Sequence, residues 1–258
     1  MSFITLTTDF GSRDPFSGIL KGVIYSINPN ARIIDITNDV SPQNIQQANF
    51  ILKTSYRFFP KNSIHLCVVD PGVGSARKPL LIETSDYFFI GPNNGIFSTI
   101  IETENIKQVI ELTEKKYWLP EVSQTFHGRD IFAPIAAFLS QGKNPKHFGN
   151  QINVNELITL PKLEMRQNKN TIAAQVQFID HFGNIITNIP NDILFDSIKG
   201  TINNHNFDGL VQSFSDSNNK NLSAIKGSSG YMEIFIRNGN AAHTINAKFG
   251  DKLAISFV

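Results

Sequence analysis

Residues 68–77 read VVDPGVGSAR, and the layout of the chain follows from how this stretch is read. Its first half continues an apolar run, Ile64, Leu66, Val68 and Val69, that suits a buried strand. Its second half carries Pro71, Gly72 and Gly74, which punctuate a turn. Asp70 therefore stands where a strand hands over to a glycine-rich loop, the place where open α/β sheets bind ligands. Arg77 closes the same short loop and can fold back towards Asp70. From these residues alone, a structural ion pair and a functional site are both admissible.

Working outward, the amino-terminal side alternates. A strand at 3–7 runs into Thr8, Asp9, Phe10 and Gly11; Asp14 and Pro15 then read as the cap and first turn of a helix carrying Ile19, Val23, Ile24 and Ile27. A second strand follows at 32–36. A helix starting at Ser41 and Pro42 presents Ile45, Ala48, Ile51 and Leu52 on one face, and a third strand covers 64–69. This pattern predicts a mainly parallel sheet with helices on both faces. Beyond the loop, strands are expected at 80–83, 87–90 and 106–112, a strand-to-helix turn at Gly91, Pro92, Asn93, Asn94 and Gly95, and, within the stretch 126–138, a buried helix carrying Ile131, Phe132, Ile135, Ala136 and Phe138 with His127 on the turn just before it. From Thr171 the period changes to two, with Ile172, Ala174, Val176 and Phe178 alternating. Similar segments at 231–236 and 252–258 predict a small antiparallel barrel or sandwich. The expected layout is an α/β domain over 1–165, an amino-terminal sandwich of helices on a mainly parallel sheet, and a smaller antiparallel β-barrel domain over 171–258.

Composition removes several functions. The 258 residues are 41% hydrophobic and 17% charged with a net charge of +1, an ordinary globular balance without the basic footprint of nucleic-acid or anionic-membrane binding. The one cysteine, Cys67, lies in the apolar strand and reads as buried filler. No apolar run is long enough to span a bilayer and the opening residues MSFITLTTDFG lack signal-peptide regions, so a cytoplasmic location is expected.

Polar residues fall on turns: Asp9, Asp70, Arg77, Asn94 and His127 in the first domain, and Asp180, Asn184, Ser228, Ser229 and Asn240 in the second. A metal hydrolase would use such residues, but no pair of histidines has ligand spacing, and no metal is expected. A nucleophile-elbow serine and a phosphate-binding lysine loop are both missing from the sequence. Taken alone, His127 reads first as a satisfied helix-cap residue and only second as a functional group. What remains is a site of Asp, Arg and His without a nucleophilic side chain.

Six motifs carry a resemblance. TTDFG at 7–11, VVDPGVGSAR at 68–77, GPNNG at 91–95, HGRDIFAP at 127–134, DHFGNIITN at 180–188 and SSGYMEI at 228–234 resemble, in this order, the S-adenosylmethionine hydroxide adenosyltransferase family, kin to fluorinase and chlorinase. The resemblance implies an α/β domain, a β-barrel domain and a homotrimer binding the substrate between subunits. It makes Asp70, Arg77 and His127 the triad that holds the attacking water. Asp9 then binds the ribose hydroxyls with Phe50 beside the ribose, Asp180 meets the methionine amine, and Phe182 and Asn184 surround adenine. Ser229 meets the methionine carboxylate where the halogenases carry an arginine, and Asn240 and Ala241 read adenine through their backbone. The implied reaction is hydrolysis of S-adenosylmethionine to adenosine and methionine, with no cofactor. Two other readings stay open. A halogenase would carry an aromatic residue and a threonine where this chain has Asp70 and Val73, and the fluorinase insertion is missing between Arg77 and Gly91. A non-catalytic binder of S-adenosylmethionine or adenosine would need Asp9, Asp180 and Asn184 but not the triad.

Overall fold

In the computed structural model, which describes residues 2–194, 197–218 and 220–257, the chain divides into two compact units at Leu160 and Pro161. Met1 and Val258, the outer ends of the two expected domains, lie outside the described residues.

The first unit comprises β1 (Phe3–Thr8), α1 (Phe16–Ile27), β2 (Arg32–Thr37), α2 (Ile45–Ser55), β3 (Ile64–Val68), β4 (Pro79–Thr84), β5 (Phe88–Pro92), α3 (Ser98–Thr103), β6 (Ile106–Leu112), α4 (Ala133–Ser140) and β7 (Gly149–Ile152). Its 7-stranded sheet has the order β2-β1-β3-β5-β4-β6-β7. The neighbours β2, β1, β3 and β5 run parallel, as the alternation predicts. On the far side β4, β6 and β7 pair antiparallel, because a short turn at Ser85 and Asp86 makes β4 and β5 a hairpin.

Strand alternation sorts the core onto two faces. Ile64, Leu66 and Val68 join Ile4, Leu6 and residues of α1 and α4 in one cluster. Cys67 and Val69 join Ala48, Leu52, Phe89 and Ile100 in another, with α2 and α3. Cys67 is fully buried, and burial pushes its thiol up to about 12, so it packs and does not react.

Three helix starts differ from expectation. The side chain of Asp14 does not cap α1, which begins at Phe16 after Pro15 with no side-chain cap bond. For α2 the cap is Asn44, whose Oδ1 accepts from the Gln47 N–H at 2.9 Å, because Gln43 before it takes a left-handed φ of 64° that no helix admits. The helix expected within the stretch 126–138 is split. A π-turn over Gly128–Phe132 precedes α4, and the Leu119 N–H reaches in to the Asp130 carbonyl at 2.9 Å.

The second unit comprises β8 (Arg166–Gln167), β9 (Thr171–Ile179), β10 (Ile185–Pro190), β11 (Ile198–Ile202), β12 (His205–Asp208), β13 (Leu210–Val211), β14 (Ser223–Lys226), β15 (Tyr231–Phe235), α5 (Ala241–Thr244) and β16 (Lys252–Phe257). The order is β12-β11-β16-β9-β10-β15-β14-β13, antiparallel except for β13 beside β14, and β8 pairs with β9 off this path. β12 also approaches β14, so the sheet curls into a nearly closed barrel around Ile172, Val176, Ile185, Met232, Ile234 and Ile255.

Candidate active site

β1 and β3 are parallel neighbours with Thr8 opposite Val68, so Asp9 and Asp70 leave the sheet side by side at its carboxyl edge. The connection from β1 leads to β2 on one side and that from β3 leads away on the other. This is the topological switch point at which doubly wound sheets bind ligands.

The loop after β3 turns back on itself, with the Val73 N–H on the Asp70 carbonyl and the Ser75 N–H on the Gly72 carbonyl. Gly74 takes a φ of +78°, and a Cβ there would stand 2.4 Å from the Gln124 carbonyl oxygen, so the residue must be glycine for the loop to close on the 123–127 segment. The fold-back brings Arg77 onto Asp70. Its Nε donates to Oδ1 at 3.0 Å and its Nη2 to Oδ2 at 2.5 Å, with the two side chains 8% and 6% exposed. Nη2 also lies 2.8 Å from Nδ1 of His127, and the guanidinium rests 5.3 Å above the Phe132 ring. Arg77 and His127 lie 50 positions apart in the chain, and with Asp70 they form one hydrogen-bonded unit.

Arginine only donates, so Nδ1 of His127 is the acceptor and the neutral ring carries its proton on Nε2. Burial and the Arg77 cation lower the His127 pKa below its usual value, against the opposing pull of Asp70 and Asp130. The ring is therefore neutral at pH 7. Asn94, after β5, donates to the Val69 carbonyl at 2.8 Å and holds the backbone just before Asp70. Asp9 Oδ2 accepts from the Gln43 N–H at 2.8 Å, which ties the left-handed turn of Gln43 to the same edge. Phe50 stands on α2 and is buried.

Asp130 is a residue the motif reading passed over. It is fully buried and accepts from Arg129 Nε and Nη2 and from the Ser123 N–H at 2.8 Å. Burial alone would raise its pKa, but the Arg129 and Ser123 bonds outweigh that and lower it. Its carboxylate pins the 119–127 segment that delivers His127. The signal was a carboxylate within an otherwise apolar helical run.

In the second unit, Asp180 ends the β9 side of a turn and clasps Asn184: Oδ1 accepts from the Asn184 N–H at 2.8 Å and Oδ2 from its Nδ2 at 2.9 Å. Phe182, at the tip of this turn, is 72% exposed and meets His181 edge to face. Asp180, Phe182, Asn184, Ser228, Glu233 and Arg237 all line one cavity of about 720 Å³. Ser228 lines it, whereas the Ser229 hydroxyl is buried with no hydrogen-bond partner among the described residues. Asn240 caps α5, its Oδ1 accepting from the His243 N–H at 2.7 Å, and Ala241 is fully buried beside it. The Gly183 carbonyl accepts from the Ala242 N–H at 2.9 Å, so α5 and the 180–184 turn are joined. Each unit thus gathers its own set of the expected residues. Among the described residues no group of three His, Cys, Asp or Glu is placed to hold a metal ion, and no helix is long and apolar enough to cross a membrane.

The model of the SAM hydroxide adenosyltransferase N-terminal domain matches residues 4–149, and that of the C-terminal domain matches residues 174–254. The chain belongs to the SAM hydroxide adenosyltransferase family. Within that family it is 35% identical to the (R)-S-adenosyl-L-methionine hydrolase of Methanocaldococcus jannaschii, over 100% of this chain and 97% of the relative. A fluorinase of an Actinoplanes species is more distant, 24% identical over 72% of this chain and 71% of its own. A crystal structure of an uncharacterized conserved protein from Thermotoga maritima superposes with a TM-score of 0.92 at 32% identity, covering 98% of this chain and 100% of that one. The SAM hydroxide adenosyltransferase motifs coincide with the turns just described, including those that hold Asp70, Arg77 and His127.

Proposed function

We propose that the protein hydrolyses S-adenosylmethionine to adenosine and methionine by in-line attack of water on the ribose 5′ carbon. The observation that carries this reading is the Asp70-Arg77-His127 unit, a carboxylate, a fixed cation and a neutral imidazole bonded in series at the switch point of the sheet. The sulfonium departs as a neutral thioether, so no general acid is needed and the chemistry reduces to managing the water. Arg77 engages one lone pair of each Asp70 oxygen and leaves others to accept a proton from water. His127, neutral with its proton on Nε2, can donate to the same water oxygen. Water held between an acceptor and a donor has its lone pair fixed towards the carbon, at a near-attack distance of about 3 to 3.5 Å. As the water gives its proton to the Asp70 carboxylate and its lone pair to the carbon, the carboxylate and the sulfonium both lose their charge, so exclusion of bulk water lowers the barrier. No cofactor enters this reaction.

Asp9 is assigned the ribose hydroxyls and Phe50 the ribose face, Phe182, Asn184, Asn240 and Ala241 the adenine, and Asp180 and Ser229 the amino and carboxylate groups of methionine. We assign the (R) epimer at sulfur, on the name of the Methanocaldococcus jannaschii relative. We further propose a cytoplasmic homotrimer in which the first unit of one chain and the second unit of another complete one site. Halogenation is disfavoured because Asp70 would repel a halide and welcomes water as a donor.

The test is to incubate the purified protein with each sulfonium epimer, with and without fluoride or chloride, and to assay adenosine and methionine. Adenosine from the (R) epimer, unaffected by halide, is the expected result. A 5′-halogenated product would establish the halogenase reading, and tight binding without any product would establish the binding-protein reading.

A further inference from the structure

The first unit contains a cavity of about 510 Å³ that none of the residues assigned to S-adenosylmethionine lines. Arg77 and His127 border it, whereas Asp9, Phe50 and Asp70 do not. It therefore meets the Asp70-Arg77-His127 unit from a side with no assigned substrate contact. Trp118, Leu119, Val122 and Ile131 supply apolar wall, and the exposed Lys115 also lines it. Donors stand around this space without acceptors. Arg77 spends Nε and Nη2 on Asp70 and His127, while Nη1 bonds to nothing among the described residues although the side chain is only 8% exposed. Trp118 Nε1 is buried with no hydrogen-bond partner among those residues. An indole N–H left in that state costs free energy, which an arriving oxygen returns. Lys115 pairs with no carboxylate among the described residues, in contrast to Lys116, which takes Glu114 and lies over the Tyr117 ring beside Lys143. No aspartate or glutamate lines the cavity.

Two cations and an indole donor set among apolar walls fit one class of ligand. We propose that this cavity is a second binding site, which takes a small organic carboxylate with an apolar body and slows turnover through Arg77. The carboxylate accepts from Arg77 and Trp118 and is drawn in by the Lys115 charge, while the apolar body covers Leu119, Val122 and Ile131. A bare inorganic anion would leave those walls uncovered. A zwitterion such as methionine would bring an ammonium to a cavity without an acid to receive it. The bound charge competes with Asp70 for the one guanidinium that orients both Asp70 and His127. The water is then held less well, so kcat falls while affinity for S-adenosylmethionine stays. That effect on turnover rests on the proposed function, whereas the binding site itself does not.

Trp118 is the one tryptophan of the chain, so its fluorescence reports on this cavity. The experiment titrates the purified protein with hexanoate, using hexanamide as the neutral control and chloride as the inorganic one, and measures radiolabelled hexanoate by equilibrium dialysis in parallel. Hexanoate should bind saturably with a Kd of about 1 mM or tighter, and neither control should bind at the same concentrations. Lys115→Gln should weaken binding about tenfold, and Lys115→Arg, which keeps the charge, should restore most of it. Val122→Phe fills the cavity from a partly exposed position and should abolish binding. No binding of hexanoate by dialysis, equal binding of hexanamide or chloride, or full affinity in Lys115→Gln or Val122→Phe would each overturn the proposal. In steady-state hydrolysis, saturating hexanoate should lower kcat about threefold or more with KM for S-adenosylmethionine unchanged. A rise of KM alone would put hexanoate in the substrate site and overturn the second site. Should the protein turn over no S-adenosylmethionine, the proposed function fails by itself, and the titrations still decide whether the cavity binds a carboxylate.

Discussion

Arg77 grips both carboxylate oxygens of Asp70 and reaches His127 with the same Nη2 atom. One guanidinium therefore sets the orientation of the carboxylate and the tautomer of the imidazole. Lysine could not replace it, because an ammonium is a point charge without the planar fork.

Asp70→Asn and His127→Ala should each lower kcat by about 100-fold or more, the usual size of a lost proton acceptor or donor, with KM for S-adenosylmethionine within about threefold of wild type. Single-turnover rates and equilibrium binding check this. Binding that collapses along with the rate would mean that these residues hold the substrate instead of the water.

Asp130→Ala should destabilise the fold by about 1 to 3 kcal/mol, since the Ser123 N–H loses its buried acceptor while Arg129, 35% exposed, is left to solvent. Because the carboxylate pins the segment carrying His127, kcat should fall as well, and KM much less. Urea unfolding and steady-state kinetics measure the two effects. A variant of wild-type stability would show that this carboxylate contributes nothing.

His65 gives the fold a pH dependence. Its ring is fully buried among Tyr56, Phe59, Tyr87 and Phe89, with Nδ1 bonded to Thr5 Oγ1 at 2.8 Å, and burial lowers its pKa to about 3. A histidine whose folded pKa lies below its unfolded value of about 6.5 takes up its proton on unfolding, so stability falls as pH drops below that value. Between pH 7 and pH 5 this one residue should remove about 2 kcal/mol of stability. Urea midpoints at the two pH values, for wild type and for His65→Gln, provide the check. The difference should shrink by that amount in the variant, and an equal slope in both would refute it.

The proposed sharing of one site between chains is tested by mixing. An inactive Asp70→Asn chain and an inactive Asp180→Ala chain should recover activity together, because in a trimer with random exchange every mixed assembly contains one interface of two intact halves. Native mass spectrometry confirms the exchange. Activity that stays at the level of the separate variants after exchange would place the whole site within one chain.

What the sequence by itself determined is what depends on local spacing. Apolar periodicity placed β6 at its observed bounds of Ile106–Leu112, and the change of period near Thr171 separated the barrel from the α/β unit. The strand-to-loop handover at Asp70 put that residue at a sheet edge before any neighbour was known. Six ordered motifs carried the family. Only the tertiary structure decided which groups meet. The reach of Arg77 to His127 depends on the 68–77 loop closing against Gln124, and that contact exists only once α4 packs on the sheet. Gln43 turns left-handed at Asp9, and Asp130 is buried beneath the His127 segment, through contacts between residues distant in the chain. Glu233 reads in sequence as one more polar position of an alternating strand. Its carboxylate lies where Gly227 leaves room for it and beside Asp180, and strand periodicity encodes neither neighbour. Periodicity reports which face of an element is buried. The partner a buried polar group finds there is set by elements that arrive from elsewhere in the chain.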